Sequence, residues 1–410
     1  MKTFSRNSRI HLITLLYNNS LKVQRSIMKR RVFVFFVNLK SIFMQRVMFK
    51  MKNNTGHLKA MSLLLILSII IMSCHKDENN QNSSTAGSST NFTRVNLVSN
   101  NSQDSGARVD ASLVNGWGIA FSPTGNPWVS SESGGVSEPY DATGSPVIPA
   151  VAIPSASAAT GGHPTGAVFN NSATAFVLPG GGVAKFIFAG DDGVISGWSS
   201  GTMAERVIDN SSTSSYTGIT IANDSAGTFL YVANFKQSRI DVFDSTFATA
   251  NITFADPNLP EGYSPFNVQN IGGQLYVTYA KLGSDGDEEK GAGLGYVDVF
   301  KPDGTLAGRF ASEGSLNAPW GIAMAPSGFL DGNNSNVILI GNFGDGRINA
   351  YSPDAKFIGQ LSSNGTPITI DGLWGISFAP SSAATIPQTR LFFAAGPNDE
   401  ANGLFGYIDK

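Results

Sequence analysis

From about Phe92 to Lys410 the chain is a succession of short apolar or alternating runs, each bounded by Gly, Asn, Asp, Ser or Pro. None keeps the i, i+3, i+4, i+7 stripe of an amphipathic helix, so the pattern predicts strands and turns throughout. The runs also repeat. Residues 115–123, 318–326 and 372–380 each carry Trp-Gly-Ile with a Pro four residues after the Ile. Weaker copies lie at 164–169, 216–222 and 264–268. Anchoring the copies on Gly118, Gly166, Gly218, Phe266, Gly321 and Gly375 gives spacings of 48, 52, 48, 55 and 54 residues.

Most anchors are followed by second and third strand signals, such as 229–234 with 239–243 and 337–342 with 347–351. A fourth, such as 306–310 or 356–361, comes before the next anchor. Four strands at a period of about 50 residues describe a propeller blade. The expected fold is therefore all-β, a six-bladed β-propeller of four-stranded blades. The sixth repeat has only three strand signals before the chain ends. The strand at 92–98 is expected to supply its fourth and close the ring, which removes two exposed edges. Glycine at the anchors suits inner strands crowded round an axis, and the neighbouring Trp or Phe suits wedging between blades.

The charge pattern divides the chain. Half of the 28 basic residues and none of the 30 acidic ones lie in the first 76 residues, so the remainder carries a formal charge of −16. Residues 1–50 read as an upstream extension outside the mature protein. Residues 51–73 read as a signal peptide, with Lys52 and Lys59 ahead of a short apolar run from Met61 to Ile71. That run falls short of the roughly 20 residues of a membrane-spanning helix. It leads into Ile71, Met72, Ser73 and Cys74, and Cys74 is the only cysteine of the chain. This segment resembles a bacterial lipobox. The resemblance implies cleavage before Cys74, a diacylglycerol on its sulfur, and a membrane as partner. Residues 74–91 are polar and aperiodic and read as a flexible lipidated tether ahead of the 92–410 propeller. Lys76, Asp77 and Glu78 resemble a tag that sends lipoproteins to the cell surface. The expected location is an exported, lipid-anchored position in the cell envelope, at the outer membrane and on its surface.

The blades resemble NHL-type repeats, most closely at Pro319–Ala323 with the Asn342–Ile348 turn, and next at Asn234–Ile240. The body is also similar to an uncharacterised bacterial family of exported propeller proteins, some with PEP-CTERM sorting tails. Residues 115–123, 256–273, 341–348, 371–375 and 395–406 carry this likeness. It implies fold and export, and no activity. This chain shows no such tail after Ile408, and a lipid on Cys74 would take over the anchoring.

In a four-stranded blade, the lead-ins to the inner strands and the turns joining strands two and three open on one face. That face should gather Asn115, His163, Asn317, Asp345, Asp371, Asp399 and Glu400, together with Glu132, Asp191, Asp192 and the 284–293 insert. Acidic and amide oxygens dominate the set, which makes it a candidate ligand-binding face. Oxygen ligands suit Ca²⁺, the one cofactor to consider, with Asp285 and Asp287 of the insert as candidate metal ligands. The competing reading is that these residues simply form turns. His163 is the only histidine of the propeller, so histidine-cluster zinc sites are excluded, and its Gly-His-Pro setting reads as a turn. No catalytic residue is assigned, because no nucleophile motif accompanies it. The negative balance excludes nucleic acid as a partner.

The expected function is an anchored lipoprotein whose propeller binds a protein, glycan or small-molecule ligand on its oxygen-rich face. The alternatives are a metal-assisted hydrolase or lactonase resembling gluconolactonase-type propellers, and a structural component of the envelope. Replacing Cys74 by Ser is expected to move the protein from the membrane pellet to the soluble fraction. Equal pelleting of the variant and the natural chain would contradict the lipid anchor.

Overall fold

Strands and turns account for the residues that the computed structural model describes, 91–104, 107–330, 335–383 and 385–410. Cys74, the 51–73 segment and the tether up to residue 90 lie outside the described residues, as do residues 1–50. The described part forms six blades in a ring, a six-bladed β-propeller, with no helix among the described residues.

The inner strands are Gly116–Phe121, Pro164–Phe169, Tyr216–Asn223, Tyr263–Ile271, Pro319–Met324 and Leu373–Phe378, and each lies against the next. From each, the blade runs outward by antiparallel pairing. In blade 2, for example, Pro164–Phe169 is followed by Phe186–Gly190, Val194–Trp198 and Glu205–Asp209. Blade 3 has a looser outer edge, where segment 248–250 bonds back on Arg239–Asp244 through Ala250 N to Val242 O at 2.8 Å. In blade 4 the insert adds a short Glu288–Glu289 strand beside Gln274–Leu282.

The ring closes as expected. Thr93–Ser99 pairs antiparallel with Leu404–Asp409, from Thr93 opposite Asp409 to Ser99 opposite Leu404. The first described strand thus completes the last blade. Phe92, fully buried, sits 4.9 Å from the Phe329 ring of blade 5 and fastens the closing strand to its neighbour.

Six apolar clusters fill the wedges between neighbouring blades, and a seventh lies on the axis. The strand pattern supplies them directly: second and third strands are buried on both faces, because each blade is sandwiched between two others. The axial cluster comes from the residue just before the anchor, namely Trp117, Phe266, Trp320 and Trp374. Trp117 and Trp374 stack at 3.6 Å, Phe343 stacks on the other side of Trp374 at 3.8 Å, and Trp320 meets both tryptophans edge-on.

The anchors behave as close-approach positions. A Cβ on Gly118 would lie 2.5 Å from the Thr165 carbonyl oxygen, and one on Gly375 would lie 2.4 Å from that of Trp117. One anchor is corrected. In blade 4 the equivalent of the glycines is Asn267, not Phe266. A β-bulge interrupts every inner strand near its start, and in blade 4 it falls between Pro265 and Asn267 as it falls between Tyr216 and Gly218 in blade 3. Asn267 packs against Gly218 and donates from Nδ2 to Trp320 O at 2.9 Å, so its polar side chain fits the crowded axis by bonding the next blade. Phe266 is the aromatic plug residue one position earlier.

The turn asparagines are structural. Asn342 is fully buried and donates from Nδ2 to Ser315 O at 2.8 Å and to Asp345 Oδ1 at 3.0 Å. Asn234 donates in the same way to Ser214 Oγ and Asp241 Oδ2.

Substituting Ala for Phe92 should destabilise the protein by about 3 kcal/mol, the usual cost of emptying a phenylalanine site in a core. The same change at Phe357, 46 % exposed on an outer strand, should cost under about 1 kcal/mol. Chemical denaturation of both variants checks the closure, and equal losses would contradict it.

Candidate functional site

One face of the ring collects the lead-ins to the inner strands and the turns between second and third strands. A stitching rule joins them. Each lead-in bonds both to the turn of its own blade and to that of the blade before. Asn115 accepts at its carbonyl from Glu132 N of its own blade at 3.1 Å, and donates its N–H to Asn402 O of blade 6 at 3.1 Å. His163 accepts at its carbonyl from Asp191 N at 3.3 Å, and its ring reaches back to Glu132 of blade 1. Asn317 accepts from Gly344 N at 3.0 Å and, through Oδ1, from Gly291 N of the blade 4 insert at 2.7 Å.

This stitching encloses a cavity of about 430 Å³ lined by Asn115, Trp117, Glu132, Asp191, Asp285, Asp287, Glu288, Lys290, Trp374 and Glu400. Its floor is the edge of the tryptophan plug. Its walls carry six carboxylates against one lysine. Asn115 ties floor to wall: it is buried, with a left-handed φ of 51°, accepts at Oδ1 from Trp374 Nε1 at 3.0 Å and donates from Nδ2 to Glu132 Oε2 at 3.1 Å. Ser133 Oγ donates to the same Glu132 oxygen at 2.5 Å. Glu132 Oε1 is thereby left to face His163 Nδ1 at 2.5 Å, with Asp191 Oδ1 4.0 Å from that nitrogen. Ligand atoms of Glu132, His163 and Asp191 all lie within 4.8 Å of one another.

Crowding sets the protonation of the walls. Burial, then the Glu132 charge, pushes the Asp191 carboxyl up to about 7. Burial pushes Glu288 up to about 7 as well, against the opposing pull of Lys290. Burial also raises Glu400 and Asp192 above the ordinary carboxylate range. For His163, burial acts to lower the imidazole, but the hydrogen bond to Glu132 and the charge of Asp191 outweigh it and the net shift is upward. Glu400 is held by a short left-handed turn, Asn398, Asp399 and Glu400 all having φ between 50° and 65°. Three successive non-glycine residues in that region carry backbone strain, which aims one side chain into the cavity.

Of the residues expected on this face, Asn115, Glu132, Asp191, Glu288 of the insert and Glu400 line the cavity, and His163 reaches it only through its contact with Glu132. Asp285 and Asp287 line its rim and are exposed, and Asp285 Oδ1 accepts weakly from Asp287 N at 3.4 Å. Asn317 is buried in its two backbone bonds, and Asp345 accepts from Asn342 and Arg347 within its turn. Asp371 accepts from Asn398 N at 2.8 Å and Asp399 is exposed, so these two serve the turn of blade 6. The grouping of Glu132, His163 and Asp191 was not drawn from the sequence. The signal for it lies in the stitching rule, which sets the lead-in of blade 2 between the turns of blades 1 and 2.

No family model matches the chain. The uncharacterized protein R648 of Acanthamoeba polyphaga mimivirus is 32 % identical over 337 residues, covering 77 % of this chain and 80 % of that protein. The uncharacterized protein L690 of the same virus is 31 % identical over 339 residues, covering 77 % and 86 %. These relatives are viral, whereas the sequence resemblance had pointed to bacterial proteins. Among solved structures, a protein of unknown function from Bacteroides thetaiotaomicron matches with a TM-score of 0.50 at 12 % identity, covering 78 % of this chain and 76 % of that one. That likeness concerns the fold alone.

The raised carboxyls make a pH prediction. Between the ordinary carboxylate value near 4 and about 7, Asp191 and Glu288 hold protons in the folded state that the unfolded chain has released. Stability therefore falls as pH rises through that window. The raised His163 works in the same direction, since its contribution is lost as pH climbs past its folded value. The urea midpoint should drop from pH 5 to pH 8, and Asp191→Asn should shrink the drop. An undiminished drop in the variant would contradict the assignment.

Proposed function

We propose that this chain, which belongs to the family of the mimivirus proteins R648 and L690, is a membrane-anchored propeller that binds a small, polar, positively charged ligand in its axial pocket. One observation carries the reading: Glu132, Asp191, Glu288 and Glu400 converge with Asp285 and Asp287 on one cavity of about 430 Å³, with Lys290 as the one lysine in its lining. Like charges gathered in a half-enclosed site disfavour their own ionisation, and a bound cation relieves them. The fixed tryptophan floor and the hydrogen-bonded Glu132 pre-organise the walls, which lowers the ordering cost of binding.

The anchoring half rests on the Cys74 motif and the tether behind it. A lipid on Cys74 would hold the propeller at an envelope surface. A metal-assisted hydrolase is the second reading, and it draws on one specific observation, the convergence of Glu132, His163 and Asp191 within 4.8 Å.

Calorimetry with spermidine at pH 8 and low salt tests the pocket. The natural chain should bind it, and the Glu288→Gln, Glu400→Gln double variant should bind at least about tenfold more weakly, as removal of two close charge partners predicts. Absence of binding to the natural chain, or equal affinity in the double variant, would overturn the reading.

A further inference from the structure

We infer that Glu132, His163 and Asp191 form a binding site for one divalent transition-metal ion at the edge of the axial pocket, whose lining includes Glu132 and Asp191. The inference deepens the cation-binding reading by naming a second class of occupant and its ligands. It rests first on geometry. The three side chains come from three separate backbone segments, a turn of blade 1, the lead-in to blade 2 and a turn of blade 2, yet their donor atoms lie within 4.8 Å of one another. Ligand atoms about 2.1 Å from a common ion stand roughly 3 to 4.2 Å apart, depending on the angle between them. The 4.0 Å between His163 Nδ1 and Asp191 Oδ1 fits that range as it stands. The 2.5 Å between His163 Nδ1 and Glu132 Oε1 is a hydrogen bond. An ion would replace its proton and part the two atoms by about half an ångström or more. His163 is free to make that shift, since its side chain is 50 % exposed.

The support behind the ligands is the second argument. Metal-binding carboxylates are oriented by hydrogen bonds from an outer shell. Here Trp374 Nε1 donates to Asn115 Oδ1, and Asn115 Nδ2 donates to Glu132 Oε2, so a buried chain fixes the carboxylate and turns Oε1 toward His163. Three protein ligands leave coordination positions open toward the cavity, as in sites that bind a further molecule on the metal.

The ligand types select the ion. Imidazole with two carboxylates suits Zn²⁺, Co²⁺ or Ni²⁺ better than Ca²⁺, which takes six to eight oxygens. The site is thus distinct from the calcium expectation placed on Asp285 and Asp287.

The test uses the full chain, freed of metal with a chelator, and titrates ZnCl₂, CoCl₂ and CaCl₂ by calorimetry, with the visible absorption of Co²⁺ as a second readout. One equivalent of Zn²⁺ or Co²⁺ should bind, with Ca²⁺ about a hundredfold weaker. His163→Ala should lose about a hundredfold in Zn²⁺ affinity and the Co²⁺ absorption bands, and Glu132→Gln should lose at least about tenfold. Near-ultraviolet circular dichroism of His163→Ala should match the natural chain, since its side chain is half exposed. The Asp354→Asn variant, at an exposed turn outside the pocket lining, should keep its Zn²⁺ affinity within about threefold. No uptake of Zn²⁺ or Co²⁺, or unchanged affinity in His163→Ala, would overturn the metal site. Spermidine binding retained in that event would leave the pocket reading standing, and loss of both would end both.

Discussion

Crowding at the axis governs this molecule. Six inner strands approach so closely that a single added methyl at Gly118 or Gly375 would strike a neighbouring carbonyl. The blades can meet there only because the backbone is bare at five positions and because Asn267, at the sixth, bonds across to Trp320 O. One residue earlier, the chain does the opposite and places its largest side chains. Trp117, Phe266, Trp320 and Trp374 fill the upper end of the axis, with Phe343 completing the stack on Trp374. Small residues bring the blades together and large ones seal the end. The remaining architecture, from the interblade wedges to the strand that closes the ring, follows from holding six twisted sheets at that spacing.

The pocket is a consequence of the same plug. With the axis sealed by tryptophan, the loops above it form a basin rather than a channel mouth. Each lead-in bonds two successive turns, so side chains of adjacent blades are drawn inward together. Turn chemistry favours Asn, Asp and Glu at such places for reasons unrelated to ligands, and several of them here, including Asp345 and Asp371, do no more than hold turns. Glu132, Asp191, Glu288 and Glu400 instead line the cavity, with Asp285 and Asp287 at its rim. Burial, with the neighbouring carboxylates adding to it, pushes Asp191 and Glu288 up to about 7. A face built this way is poised for positive charge, whether on an amine or on an ion.

The fold was legible because the Trp-Gly-Ile repeat encodes both halves of the axial constraint at once, the bare residue and its bulky neighbour. Blade number and the closing strand followed from counting. The fourth anchor was misread by one residue because the local β-bulge and the Asn at position 267 hide the pattern where no glycine marks it. The site was legible only as a face. Asn115, Glu132, His163, Asp191 and Glu400 could each be assigned to it from loop class, but the convergence of Glu132, His163 and Asp191 depends on the rotation between blades 1 and 2, which no local run of residues records. His163 read as a turn residue by its Gly-Pro neighbours, and its partner lies 31 residues away across a blade boundary.

The most direct measurement is anomalous diffraction at the cobalt edge, from crystals of the full chain equilibrated with CoCl₂. The account predicts a single strong peak in the axial pocket, about 2 Å from an oxygen of Glu132 and a nitrogen of His163. A pocket without anomalous density, with any cobalt held instead at Asp285 and Asp287 or on the outer surface, would contradict it.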